Sequence, residues 1–145
     1  MYTAMARIKI QLPEKFIFST DIKPRITEIN YGGHLGNDAL LALAHEARER
    51  FLATHQWSEM DVDGRGLIMV DAALMYLAEI FYGTTLRVEV AVTDMSRIGC
   101  DFVFRLSDRE NGQEAARIKT GMAFFDYRQR KVVRMPEVFK NSIGQ

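Results

Sequence analysis

Between residues 38 and 54 the chain carries an apolar stripe that leaves it few choices of fold. Leu40, Leu43, Ala44, Ala47 and Phe51 recur at the i, i+3, i+4, i+7 and i+11 positions, the spacing of one buried face of an α-helix. About seventeen residues make a helix near 25 Å long, enough to fill the concave face of a single sheet. Asn37, just before it, is a favourable N-cap, and Asp38 stands near the positive end of the helix dipole. Arg48 to Arg50 read as its solvent-facing charge. Ala39, Ala42 and Glu46 share a strip beside the core stripe. Two alanines there admit a second surface, with the glutamate at its edge.

The rest of the chain is largely strand. Phe16 to Ile22 is rich in aromatic and β-branched residues, Pro24 interrupts it, and Arg25 to Ile29 alternates again. After the helix come a polar loop, Ser58 to Gly66, and an apolar run from Gly66 to Ala78. By period alone that run fits a helix as well as a strand. The strands that follow favour a long strand, one with room for a bulge. Thr85 to Thr93 and Asp101 to Leu106 alternate strictly, and Arg97-Ile98-Gly99 turns one into the other. Asn111-Gly112 is a hairpin signal. Ala115 to Tyr127 is the last long strand, with Ala116, Ile118, Thr120, Met122 and Phe124 on one face. Basic residues and Pro136 close the pattern. One strand, one helix and about four consecutive strands make an α+β layout, a curved antiparallel meander around one buried helix. Such a sheet covers only one side of the helix, which argues for a homo-oligomer.

At 145 residues the chain is expected to be a single domain, 1–145, with its core over about 16–137. A formal net charge of zero argues against a nucleic-acid partner, which requires a positive excess, and does little to keep monomers apart. The single cysteine, Cys100, permits no intrachain disulfide and reads as a small core residue. Residues 1–12 lack the apolar core of a signal peptide, and no run approaches the roughly 20 residues of a membrane span. The expectation is a cytoplasmic protein without a membrane partner. The three histidines show no metal-ligand spacing, so no metal is expected.

The stretch Asn30-Tyr31-Gly32-Gly33-His34-Leu35-Gly36-Asn37 holds three of the ten glycines and feeds directly into the helix. The unpaired N–H groups of a helix start, with the dipole behind them, suit a carbonyl or a developing oxyanion. Asn30 is also an ordinary turn residue. If the preceding segment is extended, Glu28 and Asn30 point to the same side.

Gly33-His34-Leu35-Gly36-Asn37, followed at matching distance by His45-Glu46-Ala47-Arg48, resembles the corner and helix of the hot-dog-fold acyl-CoA thioesterases of the 4-hydroxybenzoyl-CoA thioesterase type. Tyr76 to Leu86 is similar to that family's second strand and its turn into the third, and Gly112 to Asp126 to its last strand. The resemblance implies a hot-dog fold and hydrolysis of an acyl-CoA or acyl-carrier-protein thioester, with no cofactor beyond the coenzyme A of the substrate. It implies a homodimer or a dimer of dimers, and a carbonyl held by a backbone N–H near Asn37. The family usually places a catalytic aspartate where this chain has Asn30, whose amide cannot deprotonate water. The residues expected to do the chemistry are therefore Asn30 and His34, which position, and Glu46, which activates water from across a subunit interface. Glu28, Gly33, Asn37 and Arg97 are expected to contact substrate, with Arg97, Arg128 or Arg130 meeting the phosphates of coenzyme A. Loss of the aspartate also supports a non-catalytic thioester-binding protein. A hydroxyacyl-thioester dehydratase fits the His34 context less well.

Overall fold

The computed structural model describes residues 5–143. The first four residues of the N-terminal stretch read above, and the last two of the chain, lie outside the described residues. The apolar stripe folds as α1, Ala39–Ala53, burying Leu40, Leu43, Ala44, Ala47, Phe51 and Leu52. The N-cap is Asp38 rather than Asn37, and it makes no side-chain cap bond. Its backbone already lies in the helical region (φ −74°, ψ −22°), whereas a capping side chain folds back from an extended residue.

Six strands form one antiparallel sheet: β1 Phe18–Ile22, β2 Gly66–Tyr76, β3 Leu86–Thr93, β4 Gly99–Asp108, β5 Glu114–Asp126 and the short β6 Lys131–Val132. Their order is β1-β3-β4-β5-β2, with β6 added to the end of β5. The expected meander holds for β3 to β5 only. β2 crosses to the far side of β5, so the two strands that flank α1 in sequence become the two edges of the sheet. β2 is a long strand with a bulge between Met69 and Asp71. Among the described residues neither outer edge has a partner strand, and on β2 the side chains of Met69 and Val70 are 44% and 60% exposed.

The concave face receives α1. Val88, Val90, Phe102, Phe104, Ile118 and Phe124 point inward and are fully buried, each contributing roughly 1.5–3 kcal/mol. The Phe51 ring packs against Phe18 and Phe102 at 5.8 and 6.1 Å. Arg48 departs from expectation. It is 2% exposed, not solvent-facing, because its guanidinium finds partners inside. Nε donates to Glu59 (3.1 Å) and Nη1 to the Thr120 hydroxyl (3.3 Å), and the group lies 5.9 Å from the Phe102 ring.

Two further elements escape the sequence reading. A short helix, α2, Glu137–Ile143, follows Pro136, and its fully buried Phe139 meets Phe124 and Trp57. The N-terminal arm crosses the opposite face of the sheet. There Ile10 joins Met75, Leu77 and Val103 in a second small core, and the Arg117 guanidinium donates to the Ile10 carbonyl at 3.0 Å. No described helix is long and apolar enough to cross a membrane.

Candidate active site

The glycine corner is a small hairpin. Gly36 N–H donates to the Glu28 carbonyl (3.0 Å), Asn30 N–H to the His34 carbonyl (2.9 Å), and Ile29 bridges Leu35. The turn between these arms requires glycine at Gly33, whose φ of +88° lies in the left-handed region. Asn30 builds this turn: its side-chain oxygen accepts from Gly32 N–H at 2.9 Å, and its carbonyl from Gly33 N–H. Residues 26–28 form a 3₁₀ turn rather than an extended segment, because the Glu28 carboxylate accepts from Arg25 N–H at 2.7 Å and closes it. Glu28 and Asn30 are therefore not side by side on one strand.

The second arm of the hairpin is pinned on its other side. Leu35 N–H donates to the Ile80 carbonyl at 2.7 Å, and His34 bridges Phe81, their rings edge-on at 6.5 Å. Between this arm, the start of α1 and the end of β2 lies a cavity of about 300 Å³. Leu35, Leu40, Ala78, Ile80 and Ala115 supply its apolar wall, and His34, Asn37, Tyr76 and Glu79 its polar groups. The Tyr76 hydroxyl donates to the Asn37 carbonyl at 3.1 Å. Among the described residues, the amide N–H groups of Asn37 and Asp38 donate to no backbone carbonyl. A cavity with an apolar wall and the Asn37 backbone at the helix start is suited to holding an acyl group with its carbonyl oxygen on the helix start.

Of the expected site residues, the structure brings His34 and Asn37 to this cavity. Gly33 and Asn30 shape the corner without lining it. Glu46 lies elsewhere, in a charged groove with Glu28, Lys23, Arg25 and Arg50. Its carboxylate pairs with the Arg50 guanidinium at 2.7 Å, and its side chain is 53% exposed. It sits about 12 Å along the helix from Asp38. Arg97 is at the other end of the sheet, in a basic hollow with Arg134 and Lys140, about 25 Å of strand from the cavity. Within one chain the corner, Glu46 and Arg97 do not converge. Cys100 is buried, and that burial, with the Asp101 charge added to it, pushes the thiol up to about 12, so it offers no thiolate.

Sequence reasoning missed Tyr76 and Glu79. Both come to the cavity through contacts distant in sequence. Leu77 and Ala78 N–H both donate to the Ala115 carbonyl (2.9 and 3.1 Å), which turns the chain off the end of β2. Ile80 is then held by Leu35. The segment Tyr76 to Gly83 carried the signal only as part of a longer resemblance.

An antiparallel sheet wrapped on one helix, with a cavity at the helix start, defines an α+β protein of the hot-dog fold. The chain matches the thioesterase-like superfamily over residues 24–143 and belongs to it. No curated protein matches it by sequence. Solved structures are similar in fold. A 1,4-dihydroxy-2-naphthoyl-CoA thioesterase from Synechocystis superposes with a TM-score of 0.80 at 22% identity, over 88% of this chain and 96% of that one. A DHNA-CoA thioesterase from Staphylococcus aureus gives 0.75 at 21%, over 86% and 84%. A further Staphylococcus aureus protein, solved in complex with CoA, gives 0.80 at 17%, over 94% and 86%.

Proposed function

We propose that this protein hydrolyses an acyl-CoA thioester to the free acid and thiol. One observation carries the reading: the cavity at the start of α1 combines an apolar wall, the backbone of Asn37 just before the helix, and ionisable groups, in a chain of the thioesterase-like superfamily. The acyl group lies against Leu40, Ile80 and Ala115. The carbonyl oxygen takes the helix-start amides, where the charge of a tetrahedral intermediate is stabilised. His34 flanks the thioester, with Asn30 and Gly33 setting the corner that holds it there. Coenzyme A rather than a carrier protein is supported by the CoA-bound structure of similar fold.

The active unit on this reading is a homodimer. The unpaired edge of β2 and the exposed Ala42 and Glu46 face of α1 are the surfaces a second copy would cover. Glu46 can reach a thioester at the helix start only from such a copy, and the basic hollow at Arg97 can meet the phosphates of coenzyme A only in the same way.

The test is thiol release from a panel of acyl- and aryl-CoAs, run beside calorimetric binding of a non-hydrolysable CoA thioether. Saturable release with at least one thioester is the expected result. Tight thioether binding with no release from any member would favour the second reading, a thioester-binding protein, for which the turn-making Asn30 in place of a carboxylate is the supporting observation.

A further inference from the structure

The residues that line the cavity include a carboxylate that the corner lacks, the exposed Glu79. We infer that Glu79 is the general base of the site, acting in the same chain as the amides of Asn37 and Asp38; this rests on the thioesterase reading above. Glu79 lines the cavity with His34, Asn37 and Tyr76. Asn30 and Glu46 do not.

Its position is built rather than incidental. The residue before it, Ala78, is fixed by its N–H on the Ala115 carbonyl, and the residue after it, Ile80, is buried and accepts from Leu35 N–H. Leu35 lies between His34 and Gly36, so the two cavity walls are tied to one another by the bond that brackets Glu79. The next residue, Phe81, bridges His34. A base must be carried on backbone held this firmly, since a misplacement of about 1 Å costs on the order of a hundredfold in rate.

The step it performs balances without a further reagent. The Glu79 carboxylate takes a proton from a water molecule as the water oxygen bonds to the thioester carbon. The carbonyl oxygen becomes an oxyanion on the helix-start amides. The intermediate collapses by breaking the carbon–sulfur bond, and the departing thiolate takes the proton back from Glu79. Free acid and thiol result, and the carboxylate is restored.

The experiment uses the full-length protein, its best acyl-CoA from the panel, and the variants Glu79→Gln, Glu79→Asp and Glu46→Gln. Thermal unfolding establishes that each is folded. The expected result is a fall in kcat of at least about 100-fold for Glu79→Gln, the range for removal of a positioned general base. Binding of the CoA thioether should stay within about threefold of the parent, partial activity should return in Glu79→Asp, and any loss in Glu46→Gln should be smaller. A Glu79→Gln variant that keeps kcat within about threefold, or a loss that falls on Glu46→Gln instead, overturns the assignment and leaves thioester hydrolysis standing. Absence of thiol release from the parent protein overturns the hydrolytic reading and Glu79 with it.

Discussion

The start of α1 and its middle each border a hollow of about 300 Å³ that holds an exposed glutamate, but the hollows are lined differently. At the start, the exposed Glu79 lines a cavity that the Asn37 backbone also reaches, on a segment hydrogen-bonded at both neighbouring residues. At the middle, Glu46 lies in a charged groove with Lys23, Arg25 and Glu28 and pairs with Arg50. The lesson concerns where chemistry can be built. The helix end supplies donors that no intrahelical bond consumes. The helix middle has none to offer, and its polar side chains serve packing or pairing.

The largest expected effect sharpens this contrast by showing how structural the middle of α1 is. Arg48 and Arg50 are two positions apart, yet Arg48 is buried against Glu59 and Thr120 while Arg50 lies at the surface. Removing Arg48 takes a buried guanidinium from Thr120 and Phe102, while Glu59 keeps His45 at 3.0 Å. Arg48→Ala should therefore lower unfolding free energy by about 2–3 kcal/mol, below the range for orphaning a fully buried charge, read as a reduced urea midpoint. A loss under about 1 kcal/mol would mean that Glu59, which is 19% exposed, simply turns to solvent.

The next effect belongs to the corner. Gly33 meets no neighbouring atom that a Cβ would strike, so its substitution isolates backbone conformation. At φ +88° Gly33→Ala should cost about 1–2 kcal/mol, measured by thermal unfolding. Because this turn sets the position of His34, thioether binding should weaken with it. Stability lost without any change in binding would separate the corner from the site. Tyr76→Phe is milder. It removes the hydroxyl that donates to the Asn37 carbonyl, in a side chain 43% exposed. The expected cost is about 0.5 kcal/mol, the low end for a hydrogen bond. If that cost falls wholly on the site, CoA thioether binding weakens about twofold.

The two regions were not equally legible in the sequence. The stripe of α1 and the alternation of β3, β4 and β5 are local periodic signals, and the sheet and its buried face followed from them. Arg48 was misread because a guanidinium inside a core needs a partner such as Thr120, far along the chain, which no local period announces. β2 was recognised as a strand, but its place beyond β5 depends on non-local pairing, and so do the N-terminal arm over Met75 and the docking of Phe139. In the corner, Gly33 and the helix start were evident. Asn30 drew attention through the resemblance, while the structure gives it a turn bond. Glu79 sits in a run whose apolar and polar residues follow no clean period. Its approach to the corner is fixed by the Leu35–Ile80 and His34–Phe81 pairings, more than forty positions away.

The smallest expected effect is the one that most directly tries to break the comparison. Glu46 and Arg50 are an i, i+4 pair with half-exposed side chains. Such pairs contribute about 0.3–0.5 kcal/mol and are screened by salt. Arg50 also donates to the Thr20 hydroxyl and the Asp21 carbonyl, at 2.8 and 2.9 Å, so it keeps its place on β1 when the glutamate is neutralised. Glu46→Gln should therefore shift the unfolding free energy by no more than about 0.5 kcal/mol, and the difference should vanish in high salt. A larger cost that persists in salt and grows with protein concentration would place Glu46 in a buried contact with a second copy. The contrast between the groove glutamate and the cavity glutamate would then have to be redrawn for the dimer.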